Sequence, residues 1–228
     1  MCDESKLTVD GRVDGEFLLF DPGEESSMGH VKHAAPDHPI HPLIAERWSP
    51  YRFADRPVPE EDLRSLFEAA RWAASSMNEQ PWRFIVATRE EPDAFGRLLS
   101  CLVEGNREWA VHVPVLVLTA AKRTFARNGK PNPTARHDLG LAAATLSVEA
   151  TSRGLAVHQM GGILPDRARE VYGIPDDYDV ATAIAIGYSA PAEDPPEKFR
   201  RRDEQARTRK PLQEFVYSAE WGAPARFV

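Results

Sequence analysis

Two guanidinium groups and a hydroxyl fall within six residues at Arg47-Trp-Ser-Pro-Tyr-Arg52. Arg47, Ser49 and Arg52 sit just past a short helix predicted from about His41 to Glu46, which should end before Pro50. The set suits a phosphate, because guanidinium and hydroxyl donors make charge-assisted hydrogen bonds to its oxygens. The same residues also read as solvated arginines around a Ser-Pro turn. A second polar group, Ser75, Ser76, Asn78 and Gln80, fills the gap before Pro81. Amide side chains offer donors and acceptors, which suits the edge of a flat heterocycle. The plainer reading is that they satisfy turn backbone groups. A third stretch is His158-Gln-Met-Gly-Gly162. Its glycines let backbone approach a neighbour closely, or simply make a turn, and His158 reads as a packed strand residue rather than an acid or base.

The elements that must position these residues follow from periodicity. Leu63, Leu66, Phe67, Ala70 and Ala73 recur three and four apart and predict an amphipathic helix, opened by Pro57, Pro59 and acids at its positive end. Pro81 cannot continue it, so the chain must turn between Ser75 and Gln80. Trp82–Thr88 reads as a strand, Asp93–Val103 as one helix, and Val113–Thr119 as a central strand. A Gly/Pro/Asn loop, Phe125–Thr134, leads to an alanine-rich helix over Ala135–Arg153 that Gly154 should cap. A short strand at Leu155–His158, a helix at Pro165–Tyr172 and a strand at Val180–Gly187 follow. Ser189–Lys210 is Pro-rich and charged and reads as a surface arm. Strands interleaved with helices give a mixed α and β class.

The string Ser75-Ser-Met-Asn-Glu-Gln-Pro-Trp-Arg-Phe84, after a helix ending Glu68-Ala-Ala-Arg-Trp-Ala73, resembles the nitroreductase family of flavin enzymes. Stretches between about Pro39 and Pro224 fit the same pattern. The resemblance implies an α+β three-layer sandwich, a mostly antiparallel sheet flanked by helices, built as an intertwined homodimer. It implies FMN as cofactor and NAD(P)H as diffusible donor, with hydride passing through flavin N5 to a nitroaromatic or quinone in ping-pong order. No side chain is then expected to be catalytic. Asn78, with Ser75, Ser76 and Gln80, corresponds to the turn that contacts the flavin ring. Arg47, Trp48, Ser49 and Tyr51 resemble the Arg-x-Ser-x-Arg/Lys phosphate clasp. Tyr51 stands where the second basic residue usually falls, and Arg52, one place on, would face the opposite way in extended chain. Gln159, Met160, Gly161 and Gly162 match the segment whose backbone lies against the ring. Arg207, Arg209 and Lys210 resemble the basic residues that close on the phosphate, although a solvated arm reads equally well. Gly105–Val111, with Trp109, and Phe125–Thr134 are the candidate lid. The family also holds dehalogenases, ring dehydrogenases and flavin-degrading enzymes, and a non-catalytic flavin-binding module is a further alternative.

Composition bounds these readings. With 228 residues, 42% hydrophobic and 28% charged, the chain is long enough for one domain with a sizeable core. Residues 1–38 read as a polar, flexible extension and 39–228 as the domain with its C-terminal arm. A net charge of -7 argues against a nucleic-acid partner. No apolar run reaches the roughly 18 residues a membrane span needs. No secretory signal is visible, and two cysteines make no disulfide framework, so a reducing cytoplasm is expected. His30, His33, His38 and His41 hold two His-x2-His spacings, but a flexible polar segment with a few histidines is no sufficient metal site, and none is expected. There is no Gly-x-Gly-x-x-Gly after a strand, which argues against a Rossmann site.

Overall fold

The computed structural model describes residues 32–189 and 197–228. Four strands form one sheet: β1 (Trp82–Thr88), β2 (Val115–Lys122), β3 (Ala156–Met160) and β4 (Tyr178–Gly187). Their order is β1-β2-β4-β3, and every neighbouring pair is antiparallel. The apolar run predicted to be central is central, because it is buried on both faces. Val115 and Val117 point into one core cluster, while Leu116 and Leu118 point into the other. The β2–β4 register shifts between Thr119 and Ala120, where the Thr119 hydroxyl donates to the Thr182 carbonyl (3.0 Å) and accepts from its N–H (3.1 Å). This buried hydroxyl replaces the backbone partners that the irregularity removes.

Seven α-helices of the described residues complete the layers: α1 (Pro42–Glu46), α2 (Glu60–Arg71), α3 (Pro92–Leu99), α4 (Glu104–Ala110), α5 (Ala135–Ser152), α6 (Pro165–Tyr172) and α7 (Glu197–Glu204). Leu66 and Ala70 of α2, with Leu139, Ala142, Ala143 and Leu146 of α5, cover one face of the sheet. Phe95 and Leu98 of α3, Trp109 of α4, Ala168 of α6 and Phe199 of α7 cover the other. The fold is the α+β three-layer sandwich expected. Gly154, at φ 68°, ends α5 in the left-handed conformation that a side chain resists, as its place predicted.

Three expectations need correction. The helix predicted over Asp93–Val103 breaks at Ser100, because Leu102 bridges to Ile163 and the Val103 N–H donates to the Gly162 carbonyl. The candidate lid Gly105–Val111 is α4, and its Trp109 is only 3% exposed. The surface arm from Ser189 contains α7, whose Phe199 and Asp203 are buried. Of the histidines near the N-terminus, His30 lies outside the described residues. Among those described, no three His, Cys, Asp or Glu side chains gather as metal ligands.

Candidate functional site

The chain leaves α1 at Arg47, whose ψ of 120° turns the backbone into the extended segment that carries Ser49. The Arg47 guanidinium reaches the Ser49 hydroxyl at 3.4 Å. Arg207 donates from one nitrogen to the carbonyls of Ala45 (2.6 Å) and Lys32 (3.2 Å), which pins the C-terminal segment onto the end of α1. Arg209 lies close enough to repel both. Burial, then Arg209, holds the Arg47 pKa below its ordinary value, and burial, then Arg47 and Arg209, does the same to Arg207. None of the three forms an ion pair among the described residues. Cations gathered without a counter-charge store repulsion that an anion relieves. The Lys210 ammonium pairs with Glu214 at 3.4 Å on the surface. Trp48 lies beside this group, with the Lys32 ammonium 5.5 Å over its ring.

Tyr51 is tied to α7 and to the aromatic groups below it. Its hydroxyl accepts from Arg202 (3.0 Å), and its ring stacks on Phe199 at 5.4 Å and meets Trp109 and His158 edge-on at 5.2 and 4.6 Å. Its ring packs beneath the loop. Arg52 also turns inward and pairs with buried Asp203 at 3.1 Å.

His158 holds the loop from β3. Its Nδ1 lies 2.7 Å from the Pro50 carbonyl, which can only accept, so that nitrogen carries the proton. Burial lowers its pKa, against smaller raising effects of the Pro50 bond and Asp203; Arg202 also lowers it. The folded chain therefore binds fewer protons than the unfolded chain just below pH 6.5, and stability rises with pH through that window. Urea midpoints should fall as pH drops from 7 to 5.5, and His158→Gln should flatten the fall. An unchanged slope in that variant would assign the dependence to other groups.

The polar turn is held from α5. The Ser76 N–H donates to buried Asp138 (3.1 Å), and the Ser75 hydroxyl accepts from the Gln80 N–H (3.0 Å). Met77, Asn78 and Gln80 have φ of 54°, 53° and 50°. Non-glycine residues pay in strain for that region, and such strain gathers at binding sites. Gln80 donates to the Asn78 carbonyl, while the Asn78 side chain is exposed. Further along α5, Gln159 of β3 points its amide at the Ala143 carbonyl and the Ser147 hydroxyl, 3.5 and 3.4 Å away. The 1.5 Å rise per residue puts those acceptors about 8–13 Å along the helix from Asp138. Met160 is buried in the core.

The two glycines separate. A Cβ on Gly162 would stand 2.6 Å from Asn106 and 2.7 Å from Val103, so this glycine serves the packing of α4. A Cβ on Gly161 would meet nothing within 4 Å, which leaves its backbone open to a flat group. The bonds of the polar turn run to α5 and to the 125–134 loop, where the Ala126 N–H donates to Glu79. Those of Arg207 run to α1 and to Lys32. Asp138 and Asp203, the buried acids among the described residues, escaped sequence reasoning although each supports a segment that was singled out. A signal for Asp138 existed: it shares the face of Ala135, Leu139 and Ala142 on an otherwise apolar helix.

An antiparallel sheet between two helical layers carries the polar turn before β1, the glycine pair after β3 and the arginine cluster beside α1. Residues 44–188 match the family model described as "Nitroreductase family", and the chain belongs to that family. A solved structure described as an oxidoreductase containing FMN aligns with a TM-score of 0.79 and 32% identity, over 86% of this chain and 100% of that one. A Mycolicibacterium smegmatis protein, described as an uncharacterized 15.4 kDa protein in the ask 5' region, is 31% identical over 62% of this chain and 99% of its own length. A Thermus thermophilus protein named NADH dehydrogenase is 29% identical over 64% of this chain and 84% of its own.

Proposed function

We propose that the chain is an FMN-dependent oxidoreductase that takes reducing equivalents from NAD(P)H and gives them to a small electrophile of nitroaromatic or quinone type. The observation that carries this is the cluster of Arg47, Arg207 and Arg209 beside Ser49, cationic and without a carboxylate partner among the described residues. It fits a phosphate monoester, and a structural relative at 32% identity is described as containing FMN. Bound FMN would supply hydride acceptance and donation at N5. The protein's part is to bind and orient: the arginines and Ser49 for the phosphate, the Asn78 and Gln80 turn and the open backbone of Gly161 for the ring. No side chain is assigned acid, base or nucleophile work.

A homodimer belongs to this reading. Trp72, Leu141, Phe215, Trp221 and Phe227 are exposed and would be available to a second copy. With no helix of the described residues long and apolar enough to cross a membrane, the working compartment we propose is the cytoplasm.

The test is an absorbance spectrum of the purified chain with added FMN, then anaerobic NADPH and NADH. Visible flavin bands bleached by either nucleotide are expected, with return of colour on adding a quinone. A bound flavin that neither nucleotide bleaches would support a non-catalytic module instead, and a chain that takes up no FMN would sink both readings.

A further inference from the structure

Asp203 is 3% exposed and sits on α7, a helix that the charged sequence Glu197–Glu204 gave no reason to bury. Its carboxylate has three bonds to one stretch of chain. Both oxygens accept from the Tyr51 N–H, at 3.0 and 3.2 Å, and Oδ2 accepts from the Arg52 guanidinium at 3.1 Å. The Arg52 side chain is itself 15% exposed, so this pair lies largely out of water. A buried carboxylate that accepts from a backbone N–H and a guanidinium together has little freedom to shift.

What makes the location informative is its neighbours along the chain. Four residues before Asp203's backbone partner lies Arg47, and four residues after Asp203 lies Arg207. The carboxylate thus ties the segment leaving Arg47 to the segment approaching Arg207, the two halves of the arginine cluster. Other ties support the same seam: Arg202 donates to the Tyr51 hydroxyl, the Lys32 ammonium donates to the Arg202 carbonyl at 2.5 Å, and Phe199 stacks on Tyr51. Of these, only the Asp203 bonds fix backbone within the 47–52 segment together with a charge.

We propose that Asp203 is a positioning residue for the anion clasp, setting the distance between Arg47 with Ser49 on one side and Arg207 with Arg209 on the other. The assignment rests on the FMN reading above. Asp203 does not touch the anion; its negative charge is matched by Arg52, which keeps the net field of the clasp positive. Loss of the carboxylate leaves Arg52 buried without its partner and lets the 47–52 segment drift, so the guanidiniums no longer converge.

The consequence is specific to the phosphate end of the cofactor, and riboflavin, which has the same ring without the phosphate, isolates it. Dissociation constants for FMN and riboflavin are measured by flavin-fluorescence quenching on the full chain, wild type, Asp203→Ala and Asp203→Asn. Wild type should hold FMN more tightly than riboflavin. Asp203→Ala should weaken FMN by about tenfold or more, the size of a lost charge-assisted contact, and leave riboflavin within about twofold. Asp203→Asn, nearly isosteric, keeps an acceptor for the Tyr51 N–H and should fall between the two; it also serves if the alanine variant does not fold. Equal weakening of both flavins would show a general structural role and overturn the proposal. So would FMN affinity that is unchanged or improved. A wild-type chain that does not distinguish the two flavins, or binds neither, would instead overturn the clasp itself, and the positioning role with it.

Discussion

Arg47→Ala should lower the affinity for FMN by about tenfold to a hundredfold, since a hydrogen bond to a charged group contributes about 1.5–3 kcal/mol. Riboflavin binding should stay within about twofold. The same substitution should leave the melting temperature of the flavin-free chain unchanged or slightly raised. Arg47 makes no ion pair in the described residues, its one side-chain bond is a long one to Ser49, and it repels Arg207. Removing it relieves that repulsion without orphaning a carboxylate. The two readings part here: a structural arginine would cost stability when removed, whereas a binding arginine costs affinity and returns stability. Calorimetry of the flavin-free variant beside fluorescence titration decides it. A drop in melting temperature with unchanged FMN affinity would remove Arg47 from the site. The loss should also shrink as salt is raised from 0.05 to 0.5 M, since the wild-type clasp loses Coulomb attraction that the variant has already lost; these salt levels bracket the roughly 10 Å screening length at 0.1 M.

The fold was largely legible because its signals are of the kind sequence displays. Val115–Leu118 is apolar on both faces and could only be central; Leu66 and Ala70 fall on one stripe; Gly154 stands where a helix must stop. The helix α4 was not legible, since Glu104–Ala110 has no apolar stripe beyond Trp109 and Ala110, and the break at Ser100 is imposed by backbone bonds to Ile163 and Gly162, more than fifty residues away. The site divides in the same way. Arg47 and Ser49 are adjacent in sequence and chemically conspicuous. Asp138 and Asp203 act on segments 62 and 152 residues distant, and an aspartate's letter carries no mark of burial. Asp203 is camouflaged in a run of arginines and glutamates that reads as a solvated face, although Phe199, four residues before it, shares its side of the helix. The packing of Tyr51 was hidden for the same reason: its partners Phe199, Trp109 and His158 come from three other elements.

Trp109→Ala should destabilise the fold by about 3–5 kcal/mol, the range for deleting a large aromatic side chain from a core. The ring is 3% exposed and stands between Tyr51, Phe53 and His158, with centroid distances of 5.2, 6.3 and 4.6 Å. Its indole N–H has no hydrogen-bond partner among the described residues, so its stabilisation comes from packing and not from a polar contact. Trp109→Phe, which keeps an aromatic ring and leaves a smaller cavity, should therefore cost clearly less than Trp109→Ala. Urea unfolding with a lowered midpoint and unchanged m-value would show this directly. The contrast with a lid is sharp. A lid residue shields substrate and contributes little to the core, so its alanine variant would keep its midpoint and change acceptor preference. If Trp109→Ala unfolds at the wild-type midpoint, the packing described for α4 is wrong and Gly105–Val111 returns as a lid. If instead it loses stability as expected, the aromatic cluster is a foundation: Trp109 supports Tyr51, Tyr51 carries the backbone N–H that Asp203 holds, and Arg47 projects from the same segment.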